Sequence, residues 1–101
     1  MNRTAMQYAF PLPTPMVQIE DTFVLALLAL ESLHGTARIR LDVKYEFDAA
    51  GRTCRVSCDT AIGDELNLLF TGYLRRELGD ESFSVIRVGT SATALEHALT
   101  A

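Results

Sequence analysis

Between Ala37 and Phe47, apolar and charged residues alternate without a break. Ala37, Ile39, Leu41, Val43, Tyr45 and Phe47 share one parity; Arg38, Arg40, Asp42, Lys44 and Glu46 share the other. A period of two sends the two sets to opposite sides of a β-strand. The pattern resumes at residues 53–59, where Cys54, Val56 and Cys58 alternate with Arg55, Ser57 and Asp59. Between the runs stands Asp48-Ala49-Ala50-Gly51, in which Asp opens a turn and Gly supplies a positive φ. Residues 36–60 are therefore expected to form a two-stranded antiparallel hairpin. Its register would set Phe47 opposite Arg52, Tyr45 opposite Cys54, Val43 opposite Val56 and Leu41 opposite Cys58. All the apolar residues then share one face, whereas a one-residue slip would bring Val43 against Arg55.

Helical spacing takes over on either side. Phe23, Ala26, Leu27, Leu30 and Leu33 fall on one face of a helix expected over 21–34, with Asp21 or Thr22 as cap and Gly35 as stop. Val24, Leu25 and Leu28 fall outside that face. A helix that is apolar nearly all round is buried on more than one side. A second helix is expected over 61–78, capped by Thr60 or Asp64 and ended by Gly79. Ile62, Leu66, Leu69, Phe70 and Tyr73 form its inner face, and Arg75 and Arg76 in its last turn suit the helix dipole. Gly72 inside it suggests a close helix contact.

Residues 82–88 read as a strand, and Ser91 or Thr93 would open a short C-terminal helix through Leu99, Thr93 with Glu96 having the spacing of a capping box. The N-terminal stretch is harder to read. Pro11, Pro13 and Pro15 favour extended, polyproline-like backbone in a proline-rich arm over residues 1–15, with a short strand either before the prolines, at Gln7–Phe10, or after them, at Met16–Ile19. Prolines disfavour a central strand across this region. The expected order is (β)αββαβ(α), the ferredoxin-like arrangement. It would be a two-layer α+β sandwich with two helices on one face of an antiparallel sheet. The 101 residues fit a single domain, with 91–101 as a short helix or tail.

Composition narrows the function classes. The hydrophobic fraction of 49% is at the upper end for a globular domain, so part of the apolar surface is expected to meet a partner. The net charge is −4, and no segment is strongly basic. Nucleic-acid binding draws on phosphate neutralisation by Lys and Arg, so it is not expected. The apolar run Phe23–Leu30 is too short to span a membrane, which needs about 20 residues. No secretory leader is recognisable and both thiols are expected to be free, which together point to the cytoplasm.

Candidate chemistry is sparse. Cys54 and Cys58 lie four residues apart on one expected strand, about 13 Å between Cα atoms, too far for a disulfide. With His34 and His97 as the only histidines, the pair has no zinc-site spacing. Both thiols are expected in the core. The acidic pairs Glu20/Asp21, Asp64/Glu65 and Asp80/Glu81 flank helix ends or turns, where dipole compensation accounts for them. The open sheet face resembles the RNA-binding face of the RRM family in shape alone, since Arg38, Arg40, Asp42, Lys44, Glu46, Arg55, Ser57 and Asp59 include no aromatic. The G-x-x-G loop of KH domains and glycine-rich phosphate loops are absent.

The expectation is a non-enzymatic interaction module without cofactor or metal, acting as a homodimer or on a protein partner through Val24, Leu25 and Leu28. The alternative is a small-molecule regulatory domain resembling the ACT group, which would carry a polar pocket around Thr60 to Asp64.

Overall fold

The computed structural model describes residues 2–91. In chain order it contains strand β1 (Asn2–Ala9), helices α1 (Met16–His34) and α2 (Thr36–Asp42), strands β2 (Tyr45–Asp48) and β3 (Thr53–Ser57), helix α3 (Ala61–Leu78), a 3-10 turn at Asp80–Ser82, and strand β4 (Ser84–Ser91). The four strands form one antiparallel sheet in the order β2-β3-β1-β4. The fold is α+β. The expected C-terminal helix and His97 lie outside the described residues.

β1 is a central strand, paired with β3 from Ala5↔Ser57 to Ala9↔Thr53 and with β4 from Asn2↔Ser91 to Ala9↔Ser84. The stretch expected as an extended arm therefore opens with a strand. Pro11, Pro13 and Pro15 all follow Phe10, so they break no rung of the ladder. Met6, Tyr8 and Phe10 point toward the helices, and Gln7 points away.

The second expected site for a first strand, Met16–Ile19, is instead the first turn of α1. This helix starts five residues before the expected Asp21, directly after Pro15. Extending it brings Met16 and Ile19 onto the side of Phe23, Ala26 and Leu30, where Ile19 is fully buried. Gly35, at φ 86°, ends it and donates its amide to Glu31 O at 2.8 Å.

The long first strand of the expected hairpin is corrected. Residues Thr36–Asp42 are helical, and only Tyr45–Asp48 pair with β3. Strand alternation would have placed Ala37, Ile39 and Leu41 all in the core. In α2 only Ile39 is buried, while Leu41 is largely exposed. Arg38 and Asp42 meet at 2.8 Å, an i,i+4 pair that only a helix brings together.

The observed register is Tyr45↔Val56, Phe47↔Cys54 and Asp48↔Thr53, two residues from the expected one. A shift of two preserves parity, so the apolar residues still share a face. The turn also differs. The positive φ falls on Arg52, at 56°, and not on Gly51. Gly51 serves by lacking a Cβ, which would lie 2.4 Å from Asp48 Oδ2; its amide donates to Asp48 Oδ1 at 2.9 Å.

α3 has the expected bounds, Ala61–Leu78, and the expected cap, while Leu74 joins its inner face. Thr60 Oγ1 accepts from Gly63 N at 2.9 Å and donates to Asp42 O at 2.8 Å, tying the start of α3 to the end of α2. Gly72 is exposed with open space around its Cα, so it marks no close contact. The close approach is at Gly63, where a Cβ would lie 2.6 Å from Ser57 O.

An aromatic chain runs through the core. Phe23 meets Tyr45, Phe47 and Phe70 at centroid distances of 4.7, 5.0 and 5.1 Å, and Phe70 meets Tyr8 at 5.0 Å. α1 thus sits over the β2 side of the sheet and α3 over β1 and β3. β4 packs chiefly on β1, with Val85 against the margin of the core.

Candidate functional site

Two surfaces stand out, one on each side of the helical layer. The first is the outer face of α1. Val24, Leu25 and Leu28 are 49%, 58% and 52% exposed, and Val17 is 71% exposed. At 100° per residue, Val17, Val24 and Leu28 lie opposite the buried side made by Ile19, Phe23, Ala26 and Leu30. Neither β1 nor any other described element covers them. Val17 was missing from the expected interface because the helix was expected to begin after it.

The second is a cleft of about 340 Å³ between α3 and the β1–β4 half of the sheet. Met6, Tyr8 and Arg87 line it from the strands, and Asp64, Asn67, Leu68 and Thr71 line it from α3. It follows from the sheet order, which makes β4 the edge strand beside β1. Farther along, Arg75, Asp80, Phe83 and Val85 line a second hollow, where Arg75 and Asp80 pair at 3.3 Å.

The floor of the first cleft is a closed polar network. Tyr8 Oη donates to Asn67 Oδ1 at 2.5 Å. Asn67 Nδ2 donates to Gly63 O at 3.0 Å and Ser57 O at 3.3 Å. Both side chains are buried, and burial holds the Tyr8 hydroxyl well above its ordinary 10.0, the nearby thiols of Cys54 and Cys58 adding to the shift. Tyr8 therefore acts as a neutral donor. The rim carries opposite charges: Arg87 on the strand and Asp64 in the first turn of α3, both exposed and not paired to each other. Asp64 was singled out in the sequence; Asn67, Tyr8 and Arg87 were not, because strand adjacency brings them together.

The thiols divide. Cys54 is buried against the helices, and burial, with Glu46 adding to it, holds its thiol protonated well above its ordinary 9.0. A protonated thiol is a poor nucleophile. Cys58 was expected in the core but is half-exposed at the end of β3, its Sγ donating to Thr4 Oγ1 at 3.4 Å. Both are free. His34 meets Glu65 Oε2 at 2.8 Å on the surface. Glu20 and Asp21 are exposed on α1. Among the described residues no group of three or more His, Cys, Asp or Glu is placed to hold a metal ion, and no helix is long and apolar enough to cross a membrane.

The charged platform expected on the open sheet face is much reduced, since Arg38, Arg40 and Asp42 belong to α2. What remains there is centred on Arg55, which lies between Gln7 and Glu46 in register and donates to Gln7 Oε1 at 2.9 Å.

No family model, curated protein or solved structure matches the chain.

Proposed function

We propose that this chain is a protein-interaction module that acts by self-association through the outer face of α1. The observation that carries the reading is that face itself: Val17, Val24 and Leu28 are about half exposed or more, on the side of a 19-residue helix that turns away from the core. Val17, Asp21, Val24 and Leu28 recur at 4-3-4 spacing, the spacing of a helix–helix seam, with Leu25 flanking it. Two copies of α1 packed antiparallel would set Val17 of each against Leu28 of the other. The helix is about 28 Å long, enough for several layers of such contacts.

The fold reading that accompanies this is ferredoxin-like. It is supported by a sheet order in which β4 and β3 flank β1, β2 lies outside β3, all neighbours are antiparallel, and long helices follow β1 and β3. α2 is then an insertion between α1 and β2.

Sedimentation velocity from low to high micromolar concentration tests the self-association. A reversible dimer that Leu28→Glu converts to a folded monomer is the expected outcome. A strict monomer throughout, or a dimer indifferent to both Leu28→Glu and Val24→Glu, overturns the proposal.

A second reading, a small-molecule regulatory domain, is favoured by one observation: a partly polar cleft beginning at Asp64.

A further inference from the structure

The cleft between α3 and β4 combines three features whose chemistry narrows what it can hold. Its volume, about 340 Å³, is at the small end of ligand sites. Its floor is satisfied, because Tyr8 Oη and Asn67 use their polar atoms on each other and on the backbone of Gly63 and Ser57. Thr71 likewise commits its hydroxyl proton to Asn67 O at 2.8 Å. The floor therefore shapes the cleft and leaves recognition to the rim.

The rim carries one guanidinium, Arg87, and one carboxylate, Asp64, on opposite walls. They are not within ion-pair distance of each other, so each can engage a ligand. A polyanion such as a nucleotide would meet Asp64 beside Arg87, the only cation among the described residues that line the cleft, on a chain of net charge −4. A simple cation would meet Arg87. A ligand with one group of each sign satisfies both walls. Apolar contact comes from Met6 and Leu68, flexible side chains suited to an aliphatic body.

We propose that this cleft binds a small aliphatic zwitterion of the α-amino acid class, its carboxylate on Arg87, its ammonium on Asp64 and its side chain against Met6 and Leu68. A guanidinium holds a carboxylate by charge-assisted hydrogen bonds, about twice as strong as neutral ones. This inference names the ligand class for the second reading of function and rests on it. It is independent of α1, whose outer face turns away from this cleft, so either can fail alone.

Titration of the whole chain with L-leucine, followed by amide and side-chain NMR, tests it. Saturable shifts are expected at the Asn67 side-chain amide and at the amides of Thr71 and Arg87. N-acetyl-L-leucine, which lacks the ammonium, and L-leucinamide, which lacks the carboxylate, are expected to bind about tenfold more weakly or worse. Arg87→Leu and Asp64→Asn, both exposed substitutions whose spectra report the fold directly, are expected to weaken L-leucine by a similar factor. No saturable shift at these groups into the millimolar range, or equal binding of all three compounds, overturns the proposal. So does a folded Arg87→Leu that binds as tightly as the parent chain.

Discussion

Tyr8 and Asn67 show how much one buried polar contact controls. Replacing Tyr8 by Phe keeps the ring against Phe70 and leaves Asn67 Oδ1 without its donor, in a place water reaches poorly. The expected loss is about 1–3 kcal/mol in urea unfolding at neutral pH. The same substitution alters the alkaline limb of stability. Folding raises the proton affinity of Tyr8 above its ordinary 10.0 and of Cys54 above its ordinary 9.0. Above those values the unfolded chain releases protons that the folded chain keeps, so stability is full below about pH 9 and falls as pH rises. The slope reaches about 1.4 kcal/mol per pH unit for each such group. Tyr8→Phe removes the Tyr8 share, and its unfolding midpoint is expected to fall less steeply above about pH 10 than that of the parent chain. At Gly63 and Gly72, neighbouring geometry separates two residues that the sequence alone cannot rank. Gly63→Ala forces a Cβ against the backbone oxygen of Ser57 and is expected to destabilise by about 1–3 kcal/mol. Gly72→Ala meets open space in a helix interior and is expected to stabilise by about 0.5–1 kcal/mol. Thermal melts of the two variants check the opposite signs.

Among the elements, α3 was the most legible because cap, periodicity and stop all agreed: Thr60, the Ile62–Leu66–Phe70 stripe and Gly79. The segment from Thr36 to Asp42 was the least legible because its seven residues satisfy two periods at once. Alternation over Ala37, Ile39 and Leu41 reads as strand, while Arg38 and Asp42 form a helical pair. Tertiary context decides: β2 pairs with β3 only from Tyr45 to Asp48, with one further bond from Ser57 N to Lys44 O at 2.9 Å. The residues left over between α1 and β2 satisfy their backbone by coiling, with Ile39 buried in the core and Val43 packed against it. Thr60 couples this helix to α3 through its two hydrogen bonds, one to Gly63 N and one to Asp42 O. Thr60→Ala is therefore expected to cost about 1–2 kcal/mol, at the upper end for a cap, and Thr60→Ser to recover most of it. Hydrogen exchange would report the coupling: the amide of Val43, bonded to Ile39 O, is expected to lose protection in Thr60→Ala together with the first turn of α3.

At the scale of the whole molecule, sheet order is what periodicity leaves open. Alternation can place Tyr8, Val85 and Cys54 on strands; only the ladder puts β1 between β3 and β4 and creates the cleft beside α3. The exposed stripe on α1 was legible in part, since helical spacing already separated Val24, Leu25 and Leu28 from the inner face; Val17 required the true start of the helix. The position of Phe23 follows from the same assembly. Its ring touches α3 through Phe70 and β2 through Tyr45 and Phe47, so one side chain on α1 joins both helices of the layer to the edge of the sheet. Phe23→Ala would open a void between them and is expected to lower stability by about 3–5 kcal/mol. That is a large part of the roughly 5–15 kcal/mol a domain holds. Tyr45→Ala removes a ring that is 40% exposed and meets only the outer side of the cluster, and the loss is expected to be clearly smaller. Urea titrations of the two variants check the order. If both sites lie in one cooperative core, the midpoint falls further in Phe23→Ala while the slope of the transition stays that of the parent chain. A shallower slope in Phe23→Ala alone would mean that α1 and β2 come away from the rest of the sandwich before it unfolds.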